Sequence, residues 1–249
     1  WTLYLIIAGV ITFYCFIQLQ LLFQYWRSKG KKTNRYANTD KEPFDWPPVT
    51  IQLPVYNEFK VIDRLLQSIA QLDYPTELLE IQIVDDSTDE TTEICRKVVQ
   101  KYRAAGKNWT LIHRTDRVGF KAGALQNALR QAKFPFIAIF DADFTPSAKF
   151  LKNTIRFFSD DQVGAVQTRW GYLNKNYNWL TQIQALQLNV HFTIEQKGRS
   201  VGGYFNQFNG TAGIWRKSAI EDAGGWQSDT ITEDLDLSIR AQLNGGKIH

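Results

Sequence analysis

Residues 81–114 read IQIVDDSTDETTEICRKVVQKYRAAGKNWTLIHR. IQIVDDS opens as an apolar strand. TDETTEICRKVVQKYRAAG has helical spacing and closes on Gly106, and WTLIHR returns to a strand. Strand, helix, strand is the unit from which parallel sheets are built. The pattern extends in both directions. Before it, VTIQLPVY (49–56) is strand-like, and NEFKVIDRLLQSIAQL (57–72) sets Val61, Leu65, Ile69 and Leu72 at helical spacing. After it come KAGALQNALRQA (helix), FIAIFDAD (strand), AKFLKNTIRFF (helix) and VGAVQTRW (strand). The sequence therefore predicts an α/β domain with a mainly parallel sheet over residues 49–249. In such sheets ligands sit at the carboxyl ends of the strands.

Two of these strands end in acids. IQIVDDS gives Asp85 and Asp86, and IAIFDADF gives Asp141 and Asp143. Parallel strands would gather all four carboxylates at one sheet edge, where their repulsion calls for cations. A divalent ion, Mg2+ or Mn2+, is the simplest, completing its shell with substrate phosphates. Each piece also has a plainer reading: Asp86 and Ser87 would serve as helix caps, and a D-x-D pair occurs by chance in surface loops.

Three further segments carry chemistry. RVGFKAGALQNAL places Lys121 at the start of a helix between Gly119 and Gly123, a setting that suits a diphosphate and equally describes an exposed first-turn lysine. PVYNE (Pro54, Val55, Tyr56, Asn57, Glu58) sits at the end of the first strand, either where a nucleotide base could lodge or as an ordinary strand-to-helix turn. SDTITEDLDLSIRAQL sets Glu233 and Asp234 behind Thr232, either as helix N-terminal acids or as a general base in a cleft.

The flanks and composition set bounds. Residues 1–26 contain no charged residue and are long enough to span a bilayer, with Trp1, Tyr4, Tyr25 and Trp26 suited to its interfaces. Arg27, Lys29, Lys31, Lys32 and Arg35 follow, marking that side as cytoplasmic. Residues 27–48 read as a basic, proline-containing linker. The net charge of +4 gives no reason to expect a nucleic-acid partner. Two cysteines without a C-x-x-C pair, and three histidines, leave little material for disulfides or zinc. The chain has no Met and stops in mid-pattern at RAQLNGGKIH, as a fragment would.

QLPVYNE, IQIVDDSTD, GFKAGAL, IAIFDADF, VQTRW, FNGTAGIWRKSAI, AGGW and TEDLDLSIR together resemble the processive family 2 glycosyltransferases. The likeness is nearest to the cellulose-synthase-like enzymes that make β-mannans, glucomannans or the xyloglucan glucan backbone. It implies a GT-A fold, a mixed and mainly parallel sheet flanked by helices, behind an N-terminal transmembrane helix. It implies an integral membrane enzyme with its domain on the cytoplasmic side, in a bacterial inner membrane, Golgi or plasma membrane. The activity it implies is inverting, metal-dependent transfer of a hexose from UDP-glucose or GDP-mannose to a growing β-linked glycan.

By the resemblance, Asp85 and Asp86 sit at the nucleoside, Lys121 meets the diphosphate, and Asp141 and Asp143 hold metal and donor. Asp234 is the base. Phe208, Asn209, Gly210 and Thr211, on to Gly213, line the acceptor end with Gln167, Arg169 and Trp170. The family's Q-x-x-R-W motif does not occur before His249, so the chain alone is expected to be weakly active or inactive. The rival readings are transfer to a membrane lipid such as ceramide, a non-catalytic nucleotide-sugar-binding membrane protein, and a nucleotidyltransferase. The last would need a triphosphate-binding loop that the sequence lacks.

Overall fold

The computed structural model describes residues 1–28 and 45–249, so most of the expected linker lies outside the described residues. In chain order the helices are α1 (Thr2–Ser28), α2 (Ile62–Ala70), α3 (Thr91–Ala104), α4 (Phe120–Gln131), α5 (Phe150–Ile155), α6 (Trp179–Val190), α7 (Lys197–Gly202), α8 (Lys217–Asp222) and α9 (Glu233–Leu243). The strands are β1 (Val49–Val55), β2 (Leu79–Asp85), β3 (Trp109–His113), β4 (Phe136–Ile139), β5 (Val163–Gln167), β6 (Gly213–Arg216) and β7 (Lys247–Ile248). The described residues form two compact units. One joins residues 1–28 to Arg169–Asn206, and the other joins residues 45–168 to Gln207–His249.

The larger unit holds a seven-stranded sheet in the order β3-β2-β1-β4-β6-β5-β7. β1 runs parallel to both β2 and β4, and β2 parallel to β3. β6 lies antiparallel between β4 and β5, so the sheet is mixed, as the resemblance implied. The register pairs Val55 with Asp85 and Gln52 with Ile139, which brings the carboxyl ends of β1, β2 and β4 to one edge. These strands are buried on both faces, hence their continuous apolar runs. Their polar residues pair across strands: Thr50 Oγ1 donates to Glu80 Oε2 at 2.7 Å and Gln52 Nε2 to Gln82 Oε1 at 3.0 Å. One core cluster joins Ile137 and Ile139 of β4, Trp215 of β6, Leu125 and Leu129 of α4 and Leu237 of α9. Each such aliphatic side chain contributes roughly 1.5–3 kcal/mol by leaving water.

Two elements differ from the sequence reading. β4 stops at Ile139, not at the acids. Phe140 N still donates to Gln52 O at 3.2 Å, but Asp141 N turns to Thr211 Oγ1 at 2.9 Å, which ends the ladder. α2 starts at Ile62 and not at Asn57, whose φ of 56° is left-handed and breaks the chain direction.

The smaller unit contains α1, α6 and α7, with a six-residue π turn, His191–Gln196, joining the last two. α1 is long and apolar enough to cross a membrane and is exposed along most of its length. Residues 169–206 fall inside the 49–249 range expected for the domain but group with α1.

Candidate active site

At the shared strand edge lies an open cleft of about 420 Å³. Its walls include Pro54, Tyr56 and Glu58 after β1, Asp86 after β2, Arg117 and Lys121 before and in α4, and Asp141 and Asp143 after β4. Of the sequence-predicted acids, Glu58, Asp86, Asp141 and Asp143 thus converge with Lys121, although they come from four separate strand–helix junctions.

Lys121 is placed by glycine geometry. A Cβ on Gly123 would lie 2.1 Å from Val118 O, so the turn into α4 can close only with glycine there. From this first turn Lys121 Nζ reaches Asp141 Oδ1 at 2.6 Å and donates to Gly210 O at 3.1 Å. Gly210 has φ 73°, and a Cβ there would meet Asp234 Oδ2 at 3.2 Å and Lys121 Nζ at 3.4 Å. The glycine therefore leaves room for both the ammonium and the Asp234 carboxylate beside one Cα. Asp234 sits in the first turn of α9, where its Oδ1 accepts from Leu235 N at 2.8 Å, and Thr232 makes no side-chain cap.

The acids repel one another. Burial pushes the Asp141 carboxyl above its usual range; Lys121 opposes this, and Asp143 and Asp234 add to it. Glu233 is raised chiefly by burial, with Lys121 opposing and Asp234 and Asp141 adding. Glu58 is raised by burial first, then by Asp143, Asp141 and Asp89.

Asp85 and Asp86 part company. The Asp86 carboxylate reaches the cleft and is gripped by Arg114, whose Nε donates at 2.8 Å and Nη2 at 2.5 Å. Asp85 is wholly buried and does not line the cleft. It accepts from Ser87 N at 3.0 Å and Thr92 Oγ1 at 2.6 Å, and meets His113 Nδ1 at 2.9 Å. The expectation that Asp85 meets the nucleoside is corrected to a buried joint between β2, α3 and β3. The cation expected for all four acids is also supplied in part by the chain, from Arg114 and Lys121. Asn57 turns the same way: its N–H donates to Ser87 Oγ at 2.9 Å and its Oδ1 accepts from Thr88 N at 2.9 Å, so it ties two loops together.

The residues expected at the acceptor end divide. Phe208 is fully buried against Trp215, with ring centroids 5.4 Å apart, which corrects its expected place on a binding surface. Gln167 braces the 208–212 loop, accepting from Asn209 N at 2.7 Å and donating to Thr211 O at 3.1 Å. Thr211 is buried beneath Asp141. Arg169 and Trp170 belong to the smaller unit, where Arg169 Nη2 donates to Asn189 Oδ1 at 2.7 Å and Trp170 packs edge-on to Phe192.

Sequence reasoning missed Arg117, whose guanidinium lies 3.3 Å from the centroid of the Tyr56 ring in the cleft wall. It also missed Arg114 and the buried Ser238, whose hydroxyl accepts from Phe208 N at 2.9 Å and donates to Asp234 O at 2.6 Å. Arg114 ends the quoted WTLIHR and Arg117 opens the quoted RVGFKAGALQNAL, but neither segment marks its arginine as a cleft residue.

Among the described residues no three His, Cys, Asp or Glu side chains form a ready-made metal cage. Asp141 and the exposed Asp143 supply oxygen donors on the cleft wall beside an excess of negative charge. That donor set fits Mg2+ or Mn2+, which take one or two carboxylates and draw other ligands from phosphates.

The sequence matches the family described as glycosyltransferase like family 2 over residues 47–249, and the chain belongs to that family. It is 42% identical over 208 residues to the probable glucomannan 4-beta-mannosyltransferase 11 of Oryza sativa subsp. japonica. That match covers 81% of this chain and 36% of the rice protein, so the chain spans about a third of that relative. Mannosyltransferase PcManGT from Pyrobaculum calidifontis, solved with GDP-Man and Mn2+, is similar at a TM-score of 0.70 and 26% identity. The similarity covers 92% of this chain and 61% of that one. S. aureus TarS in complex with UDP-GlcNAc, at 22% identity, a TM-score of 0.59 and coverage of 81% and 55%, is alike in fold alone. The sheet and these neighbours define a GT-A fold, as expected.

Proposed function

We propose that residues 49–249 form the transferase domain of an inverting hexosyltransferase that moves a sugar from a nucleotide-diphosphate sugar to a growing β-linked polysaccharide. The observation that carries this reading is the Lys121 ammonium, held at 2.6 Å by Asp141 and 3.1 Å by Gly210 O, with the Asp234 carboxylate beside the same glycine. A cation for a leaving diphosphate and a carboxylate for an attacking hydroxyl thus meet at Gly210. The rice protein's name and the GDP-Man in PcManGT favour GDP-mannose over UDP-glucose as the donor.

In this reading the acceptor hydroxyl attacks the anomeric carbon while Asp234 takes its proton. The bond from that carbon to the diphosphate breaks, its electron pair leaves on the phosphate oxygen, and Lys121 offsets the charge that develops. A divalent cation held by Asp141 and Asp143 would add electrostatic stabilisation of the same leaving group. Glu233, beside Asp234, keeps the site acidic. Tyr56, Pro54 and Asp86 border the nucleoside end, and the backbone of Asn209 and Gly210 borders the acceptor end. Residues 1–26 are proposed as a membrane span and 27–48 as a linker, with the domain on the cytoplasmic side.

Asp234→Asn in the full-length protein tests the assignment. Membranes given labelled GDP-mannose should lose transfer by about 10²–10⁴-fold, the usual worth of a general base, while nucleotide binding persists. Loss of binding together with transfer would assign Asp234 a structural role.

A further inference from the structure

A second open groove, of about 600 Å³, runs along α4 and shares no lining residue with the cleft that holds Lys121. Gly123, Gln126, Asn127 and Arg130 line it from one face of the helix, at i, i+3, i+4 and i+7. At 3.6 residues per turn Lys121 falls on the opposite face. Residues 113–116, at and beyond the end of β3, form a second wall, and Trp226 and Ser228, ahead of α9, a third.

The polar groups of this groove divide into spent and unspent. Arg114 is spent: it gives four of its five N–H groups to Asp86, twice, and to Val118 O and Phe120 O. His113 holds Asp85 through Nδ1 at 2.9 Å, which leaves Nε2. Gln126 Oε1 accepts from Trp226 N at 2.7 Å, which leaves its two side-chain N–H groups. The side chains of Asp116, Asn127 and Arg130 make no hydrogen bond or ion pair among the described residues. Trp226 is buried, and its Nε1–H finds no acceptor there.

Charge decides between ligand classes. The unpaired cation Arg130 and the unpaired anion Asp116 cancel. A phosphate drawn to the one would be repelled by the other, and a cation would meet the reverse. An apolar segment would strand the carboxylate, the guanidinium and the amide without water. What matches is an uncharged ligand that both donates and accepts along its length, as a chain of sugar hydroxyls does.

We infer that this groove is a carbohydrate site separate from the reaction centre, taking a short run of β-linked neutral hexoses. Asp116 accepts from sugar hydroxyls, Arg130 and the Gln126 amide donate to them, and Asn127 does both. The inference rests on the proposed function for the linkage of the sugar, not for the existence of the site.

The test uses full-length protein in membranes with GDP or UDP filling the cleft. β-1,4-mannotetraose and β-1,4-glucotetraose, each carrying a diazirine at the reducing end, are photolysed with it, and crosslinked peptides are mapped by mass spectrometry. Crosslinks from at least one probe should fall within residues 113–130 or 226–228 and be displaced by the unlabelled sugar but not by inorganic phosphate. They should drop at least about ten-fold in the triple variant Asp116→Ala, Asn127→Ala, Arg130→Ala, the worth of two or three lost hydrogen bonds. That variant should keep the wild-type Kd for the nucleoside diphosphate, since these side chains hold nothing else. Crosslinks confined to residues 208–213 and α9, crosslinks with neither probe, displacement by phosphate, or full crosslinking of the triple variant would each overturn the inference. Hexose transfer from labelled GDP-mannose and UDP-glucose is scored in the same membranes. Groove crosslinks without transfer leave this site standing and sink the proposed function, and transfer without groove crosslinks does the reverse.

Discussion

Arg117 stacks on Tyr56 in the wall that also holds Lys121, so the cleft presents a second cation that no sequence motif marked. Arg117→Ala should raise the Kd for the nucleoside diphosphate about ten-fold, or about 1.4 kcal/mol, measured by calorimetry. An unchanged Kd would mean the guanidinium only packs against the ring. Glu233 gives a second test at this scale. Its folded pKa is raised from 4.5, so the fold favours its neutral form. Its contribution to stability is complete below pH 4.5 and is lost as pH rises through the raised value. Glu233→Gln should therefore melt above the wild type at pH 7, by roughly 2–4 °C per kcal/mol gained, and the gain should vanish as pH falls below 4.5. Lys121, Asp141 and Asp234 were legible because each occupies a fixed place at a strand or helix terminus. Asp85 was misread because its burial depends on Thr92 and His113, which local sequence does not bring together.

Among elements, the segment from Phe208 to Gly213 matters most. It is fastened by the Gln167 amide, by Thr211 beneath Asp141, and by Ser238 of α9. Ser238→Ala would strip the buried Phe208 N–H of its acceptor at a cost of about 1–3 kcal/mol. Equilibrium denaturation should show that loss, and turnover should fall because Asp234 rides on the same joint. A variant that unfolds and turns over like the wild type would show the joint to be dispensable. The strand–helix alternation from β1 to β4 was readable because each period repeats. β6 was not, because four residues that begin on a glycine carry no period, and their antiparallel place is set by contacts with β4 and β5. The early end of β4 likewise depends on Thr211, some 70 residues further along the chain.

At the scale of the whole molecule, the sequence divides cleanly at the level of fold and less so at the level of units. The α/β pattern and the apolar N-terminal run were both visible. The grouping of residues 169–206 with α1 was not, because VQTRW straddles the division and the contact depends on Gly198 and Tyr204 meeting α1. The ion pair between Lys121 and Asp141 has a consequence for the entire reaction cycle. The cleft carries its own exchangeable counter-ion, so in the proposed reaction an arriving diphosphate takes over a partner that Asp141 already holds. Entry is then a swap of anions on one ammonium, with little change in the number of ions that screen the site. The slope of log Kd for the nucleoside diphosphate against log salt, measured without divalent cation, should lie near zero, whereas a steep slope would mean that Lys121 meets its ligand unpaired. In the proposed reaction Asp141 is positioned to reclaim Lys121 after transfer and help the spent diphosphate leave.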